Sequence, residues 1–227
     1  MNKFINKITI VVALLISCSL LLVLISNIGS CSSKYKDNNN LSTKDFLIFD
    51  RSGKKVLSLY IGKSDNVIIP DDIDIIGEGC FKNCWWIKNI KIPNSVKEIG
   101  EEAFYGCSEL VQIYIPGSIT KIRTKAFWYC KQLSFVTLGD GVKEICSFSF
   151  SSCGNLEKIN IPSSVELIES FAFEDCISLK NVIFSNTYDW CYSGKISLLS
   201  SDLKQPDIAA EYLTDKYLRG KWRVEKQ

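Results

Sequence analysis

The chain of 227 residues contains no histidine. Histidine is the usual base of Ser-His-Asp and Cys-His sites, a common metal ligand, and the side chain that titrates near neutral pH. Its absence excludes those catalytic sites, histidine metal sites and histidine pH switches. The sequence also lacks a Gly-rich phosphate loop and a nucleophile motif. Adjacent carboxylates such as Glu101 and Glu102 are typical of solvated surface, so we predict no enzymatic activity and no cofactor.

Net charge is also nearly absent. The sequence has 27 basic and 25 acidic residues, a formal net charge of +2, and its lysines are scattered. Proteins that bind nucleic acid need a basic field or a clustered basic face, so the composition indicates no nucleic-acid partner. Ten cysteines are present without any Cys-x-x-Cys pair. Cys80 and Cys84 are four apart and lack a second pair, so no metal site is predicted.

What the sequence does contain is one phrase repeated in register. Two of its copies, at 87–107 and 110–130, read IKNIKIPNSVKEIGEEAFYGC and LVQIYIPGSITKIRTKAFWYC. The same slots recur every 23 residues, as shown by Phe81, Phe104, Phe127, Phe150 and Phe173; Cys84, Cys107, Cys130, Cys153 and Cys176; and Ile76, Ile99, Ile122, Ile145 and Ile168. A period of roughly 20 to 29 residues is typical of a leucine-rich solenoid, in which coils stack to bury one apolar stripe.

Within a coil the pattern predicts one strand and one return. The stretch 90–92 alternates inward and outward like a strand, and Pro93 ends it because proline cannot donate a ladder hydrogen bond. The fourth copy has Gly139 in place of this proline. The apolar residues from Val96 to Phe104 are spaced like a turn or a short helix that packs back on the strand.

These residues carry a resemblance. The pattern L-x-x-I-x-I-P-x-x-V-x-x-I-x-x-x-A-F-x-x-C resembles the BspA-like class of bacterial leucine-rich repeats over about residues 67–185. The resemblance implies a right-handed, curved solenoid with a parallel sheet on one face, displayed on a bacterial surface and adhesive. We therefore expect a mostly β member of the α/β repeat solenoids, with five 23-residue coils of one parallel strand each, an N-terminal hairpin cap and a C-terminal helix cap.

The first 31 residues predict export. Lys3 and Lys7 precede an uncharged apolar run that ends near Ile25, and small residues lead to Cys31. We interpret 1–31 as a signal or lipoprotein signal peptide with Cys31 as the lipidation site and the membrane anchor, followed by a polar tether at 32–42. Cleavage before Cys18, plain secretion, and an uncleaved membrane span are the alternatives. All of them place the repeats at the outer surface or envelope of a bacterial cell.

The segments beside the repeats predict caps. Residues 43–66 hold two apolar stretches around a Gly-containing turn, which indicates a capping hairpin before a solenoid at 67–196. Residues 197–227 hold an amphipathic helix from Asp207 to Leu213, whose apolar face is expected to close the stack with Trp190 and Trp222. Docking to a partner is the alternative role of that helix.

Export would expose ten cysteines to an oxidising setting, where disulfides form. One cysteine per coil, however, sits in an apolar slot, where a thiol acts as a small buried hydrophobe and a weak donor to turn carbonyls. Bridges between neighbouring coils stay possible in geometry, since strand spacing is about 5 Å. The sequence leaves both states open.

Function is expected in the slots that vary between coils. The outward positions of the predicted sheet mix polar and aromatic side chains, a composition typical of a protein interface, although isolated exposed aromatics also occur without function. The predicted ligand-binding residues are Asn89, Lys91, Gln112, Tyr114, Phe135, Thr137, Lys158 and Asn160.

A second aromatic group lies near the repeated cysteines, at Trp85, Trp86, Tyr105, Trp128 and Tyr129. Exposed, these rings would bind an extended peptide or a sugar. The competing interpretation is that they pack under the N-terminal hairpin.

The sequence as a whole indicates an exported, adhesin-like recognition protein that binds a protein ligand on its concave sheet. The ligand implied by the resemblance is a host extracellular-matrix protein or a protein on another cell. A structural envelope component without a specific ligand is the alternative function.

Overall fold

The computed structural model describes residues 43–192, 196–198, 200–216 and 218–224. The predicted signal peptide, the tether and the lipidation residue Cys31 lie outside the described residues. Residues from Lys44 onward form one compact unit.

The unit begins with a short 3-10 helix, Thr43–Asp45, and an antiparallel hairpin of β1 (Phe46–Arg51) and β2 (Lys54–Tyr60). The turn between them is closed by the backbone N–H of Gly53, which donates to the Asp50 carboxylate at 2.9 Å. Ser52 and Gly53 both have positive φ there, a conformation that glycine adopts at little cost. The hairpin predicted from the Gly-containing turn is confirmed.

Each coil of the repeat contributes two strands. They are β3 (Asn66–Ile68) and β4 (Ile75–Ile76), β5 (Asn89–Lys91) and β6 (Glu98–Ile99), β7 (Gln112–Ile115) and β8 (Lys121–Ile122), β9 (Phe135–Leu138) and β10 (Glu144–Ile145), β11 (Lys158–Ile161) and β12 (Leu167–Ile168), and β13 (Asn181–Phe184). The mostly β solenoid with parallel strands is confirmed. The detail of one strand per coil is corrected, because the predicted return begins with a second strand of two residues.

The chain after the repeats is only partly helical. It contains β14 (Trp190–Tyr192), β15 (Ile196–Ser197), α1 (Ser200–Leu203), α2 (Pro206–Glu211), a π-helical turn (Tyr212–Lys216) and β16 (Trp222–Val224). The predicted helix is confirmed, and Ala209, Ala210 and Leu213 are buried. The strand β16 was not predicted, since its three residues follow the helix without an alternating pattern.

The strands form two sheets. The first strands of the coils make a six-stranded parallel sheet in the order β13-β11-β9-β7-β5-β3. The second strands form the parallel centre of a ten-stranded sheet, which β1 and β2 extend at one end. At its other end β16 pairs antiparallel with β12 and with β14. The hairpin and the C-terminal segment therefore occupy opposite ends of the second sheet.

A ladder of aromatic rings runs through the core. The phenylalanines of the repeat are all buried, and consecutive rings have centroids 5.0 to 5.5 Å apart with nearly parallel planes. Tyr60 from the hairpin extends the ladder, with its ring 5.3 Å from that of Phe81. Tyr60 stands 21 residues before Phe81, off the period of 23, so the sequence pattern did not reveal it. The hairpin thus continues the core as well as the sheet.

The repeated cysteines are buried thiols. In four coils the Sγ–H donates to the carbonyl of the phenylalanine in the preceding coil, from Cys107 to Phe81, Cys130 to Phe104, Cys153 to Phe127 and Cys176 to Phe150, at 3.1 to 3.3 Å. Burial raises the pKa of the Cys176 thiol to about 12, so it stays protonated at neutral pH. All eight cysteines in the described residues are free, as the buried-thiol interpretation expected and the bridged-ladder interpretation did not.

The glycine in place of proline in the fourth coil has a steric cause. A Cβ at Gly139 would lie 2.4 Å from the backbone nitrogen of Gly117 in the preceding coil. Likewise, a Cβ at Gly117 would lie 2.0 Å from the carbonyl oxygen of Asp140. Real Cβ atoms do not approach backbone atoms this closely, so the two coils meet here through bare backbone. A proline at position 139 would not fit without separating them.

Ser149 allows a stabilising substitution to be predicted. It is fully buried in a slot that holds alanine in three other coils, and its hydroxyl has no hydrogen-bond partner among the described residues. An unsatisfied buried hydroxyl costs about 1 to 3 kcal/mol. Ser149→Ala should therefore raise the free energy of unfolding by about 1 kcal/mol, as measured by urea titration. The reverse change Ala126→Ser should lower it by a similar amount, and a destabilised Ser149→Ala variant would contradict the prediction.

Candidate functional site

The outward face of the six-stranded sheet is built by strict alternation. In each of its strands the residue at the centre is buried, as Ile113 and Val136 are, and its two neighbours point away from the core. Because the strands are parallel and pair at equivalent residues, the outward side chains form two rows. The first row holds Asn66, Asn89, Gln112, Phe135, Lys158 and Asn181, and the second holds Ile68, Lys91, Tyr114, Thr137, Asn160 and Ile183. We call these two rows the sheet face.

The structure places all eight predicted ligand-binding residues on the sheet face. Six of them are exposed, whereas Thr137 and Lys158 are half-buried. The strand register brings Gln112 beside Phe135 and Tyr114 beside Thr137. Their role in binding stays a prediction, but their shared surface follows from the alternation.

Part of the sheet face is a groove of about 990 Å³. Among the predicted residues it is lined by Asn89, Lys91, Gln112, Tyr114, Phe135 and Thr137, while Lys158 and Asn160 lie beyond its lining. Large apolar side chains are exposed along it, with Ile68 at 47%, Tyr114 at 52% and Phe135 at 40% of their surface. An apolar floor surrounded by polar side chains is the usual composition of a protein-binding surface.

Sequence reasoning missed two residues of the sheet face that line the groove, Asn66 and Ile68. Asn66 accepts a hydrogen bond at 2.8 Å from the side-chain amide of Asn89, so the first row begins with paired amides. The signal was available, because Val67 occupies the same slot as Ile90 and its neighbours must also point outward. The first strand was simply not extended from its central residue to its two flanking ones.

The two sheets differ in how their charges are compensated. On the second sheet, ion pairs join neighbouring coils, with Lys121 2.7 Å from Glu144 and Arg123 2.8 Å from Glu98. On the sheet face, neither Lys91 nor Lys158 forms an ion pair with any described residue. The twelve positions of its two rows also contain no carboxylate. The sheet face therefore has uncompensated positive charge next to its exposed rings.

The second aromatic group lies elsewhere on the coils. Trp85 is 61% exposed, and the rings of Tyr105 and Trp128 meet edge to face at 5.3 Å, with the Lys125 ammonium 4.6 Å from the Trp128 ring. The hairpin reaches the aromatic ladder through Tyr60 instead. The interpretation of this group as cover for the hairpin is therefore wrong for Trp85. None of these rings lines the groove.

Other kinds of site are not evident in the part of the chain that the structure covers. No group of three or more His, Cys, Asp or Glu side chains there is arranged to hold a metal ion. No helix within the same residues has the length and apolar character needed to cross a membrane.

Two solved structures are similar to this chain at a TM-score above 0.5. A leucine rich repeat protein of T. pallidum is 30% identical with a TM-score of 0.61, and the match covers 63% of this chain and 70% of that one. A leucine rich cell surface protein of Faecalibacterium prausnitzii A2-165 is 27% identical with a TM-score of 0.59, and the match covers 71% of this chain but only 41% of that one. No curated protein matches the chain.

The model of the BspA type leucine rich repeat region matches residues 59–180 in six copies. Six copies agree with the six strands of the first sheet, of which β13 begins a coil that the C-terminal segment completes. The match covers more than half of the chain and includes the slots on which the resemblance was based. The chain therefore belongs to the family of BspA type leucine rich repeat proteins.

Proposed function

We propose that this protein is an exported, adhesin-like recognition protein that binds a protein ligand on the sheet face. The observation that carries the proposal is the exposure of Ile68, Tyr114 and Phe135 along one groove whose lysines have no ion-pair partner in the described residues. Contiguous exposed apolar side chains with a polar surround mark interaction surfaces on soluble domains. The rest of the repeat supports no competing site, since its recurring residues are buried.

Display at the cell surface rests on two supports. The similar protein of F. prausnitzii is a cell surface protein, although this chain spans only 41% of its length. The first 31 residues have the pattern of an export signal that ends at Cys31. We propose that Cys31 is lipidated and anchors the repeats to a bacterial membrane, with residues 32–42 as the tether. The ligand is then a host extracellular-matrix protein or a protein on another cell.

The proposal predicts a loss of adhesion when the exposed rings are removed. In Tyr114→Ala with Phe135→Ala, two aromatic anchors worth about 2 kcal/mol each are lost, so affinity should fall about 100-fold. Both side chains are exposed, so the melting temperature should change little. The measurement is the binding of cells that display the full chain to a panel of purified extracellular-matrix proteins.

The matched control is Trp85→Ala, which removes a ring that is more exposed but lies outside the groove. Adhesion of this variant should equal that of the wild type. Adhesion that survives the double alanine change would remove the sheet face as the binding site. A wild-type chain that binds nothing on the panel would instead favour a structural envelope component.

A further inference from the structure

We propose that the sheet face binds an extended peptide segment of the pattern acidic-x-apolar-x-acidic, running across the strands. This inference rests on the proposed function and names the chemistry of its ligand. It follows from the positions of two lysines and two aromatic rings on four neighbouring strands.

The four side chains lie on consecutive strands of the sheet. Lys91 is on β5, Tyr114 on β7, Phe135 on β9 and Lys158 on β11. Neighbouring strands are about 4.8 Å apart, so the two lysines are separated by about 14 Å across the sheet. The exposed rings stand between them. Lys158 pairs in register with Phe135, and Tyr114 occupies the position that follows Lys91 in the second row. The sheet face thus presents an apolar centre between two cations.

An extended peptide has a matching repeat. Its residues rise about 3.4 Å each and its side chains alternate, so residues i, i+2 and i+4 face the same side over about 14 Å. An apolar residue at i+2 would pack on Tyr114 and Phe135, while carboxylates at i and i+4 would reach Lys91 and Lys158. The two lysines differ by two positions along their strands, about 7 Å, which their long, flexible side chains can span.

The charges on the page favour an acidic ligand over a basic one. No outward position of the two rows carries a carboxylate that would compete for the lysines. The nearest acidic side chains are Asp71, which lines the groove at its β3 end, and Glu157, which directly precedes the strand of Lys158. Both lie outside the rows, so a peptide across the rings would meet ammonium groups at both ends.

The backbone of such a peptide would also find partners. The first row offers the side-chain amides of Asn89 and Gln112, and the second offers Asn160 beside Thr137. Amides carry both donors and acceptors, so they can pair with a peptide N–H or C=O without regard to the ligand's sequence. Amides therefore would hold the backbone, and the lysines and rings would select the side chains.

The test uses fluorescence anisotropy with the full chain, purified in mild detergent, and three labelled peptides. The probe is GSETFTESG, the charge control is GSKTFTKSG, and the apolar control is GSETSTESG. We expect the probe to bind at least about tenfold more tightly than either control, with a preference over the charge control that weakens in high salt. Lys91→Glu with Lys158→Glu should reverse the preference, so that this variant binds GSKTFTKSG better than the probe. Circular dichroism checks that the variant remains folded.

Equal binding of the probe and the charge control would overturn the inference, as would a charge-reversed variant with unchanged preference. A probe that does not bind, or that a single-stranded oligonucleotide displaces more effectively than unlabelled probe, would also overturn it. If the probe fails while the Tyr114 and Phe135 alanine variant still loses adhesion, the groove recognises another protein chemistry and the proposed function stands. If that variant also keeps adhesion, both proposals fail.

Discussion

Replacing Gly117 by alanine is expected to destabilise the repeat by about 3 kcal/mol or more. The added Cβ would lie 2.0 Å from the carbonyl oxygen of Asp140 and 3.3 Å from its nitrogen. Both contacts are to backbone, so relief requires two coils to separate instead of one side chain to rotate. Because each coil is stabilised by its neighbours, a separation in the middle of the stack removes contacts on both sides. Urea titration followed by circular dichroism measures the loss.

The matched control is Gly154→Ala, one coil further along. A Cβ at Gly154 meets only the side chain of Ile177, at an ordinary distance of 4.0 Å. Its effect on the free energy of unfolding should stay within about 1 kcal/mol, because the change also restricts the unfolded chain. A Gly117→Ala variant as stable as Gly154→Ala would show that the coils do not approach as described.

The second large effect is expected in the aromatic ladder. Phe127 is fully buried, and its ring lies 5.0 Å from that of Phe104 and 5.3 Å from that of Phe150. Phe127→Ala would lose the transfer free energy of the ring and leave a cavity between two coils, at a cost of about 3 to 5 kcal/mol. Chemical denaturation monitored by circular dichroism should show an earlier midpoint.

Phe127→Leu is the control for this change, because it keeps most of the volume and loses only the stacked geometry. Its cost should be about 1 to 2 kcal/mol. If alanine and leucine had the same small effect, the ladder would not be the continuous core that the structure describes. Both substitutions leave the sheet face unaltered, so adhesion per folded molecule should not change.

The fold was predictable because the same physical demand recurs in every coil. Phe104, Cys107 and Ile99 each face one core, and five copies of each slot make the period visible. The second strand escaped prediction because Glu98–Ile99 is only two residues long, and alternation needs about four residues to be recognised. Tyr60 and β16 escaped because they serve the ends of the stack, where the period no longer applies.

The sheet face was predictable for a different reason. Once Ile113 is assigned to the core, Gln112 and Tyr114 must point outward, so position follows from alternation alone. What could not be predicted is how the positions combine. The groove, the pairing of Asn66 with Asn89 and the lack of an ion pair for Lys91 in the described residues depend on how neighbouring coils align. These contacts join residues 23 positions apart, which no local pattern specifies.

The division of labour between core and sheet face is tested most directly by measuring melting temperature and adhesion together on two variants of the displayed full chain. Tyr114→Ala with Phe135→Ala should lose adhesion about 100-fold and keep the wild-type melting temperature. Phe127→Ala should lower the melting temperature, and the molecules that remain folded should adhere normally. A double alanine variant that adheres like the wild type, or that loses adhesion only because it unfolds, would contradict the assignment of recognition to the sheet face.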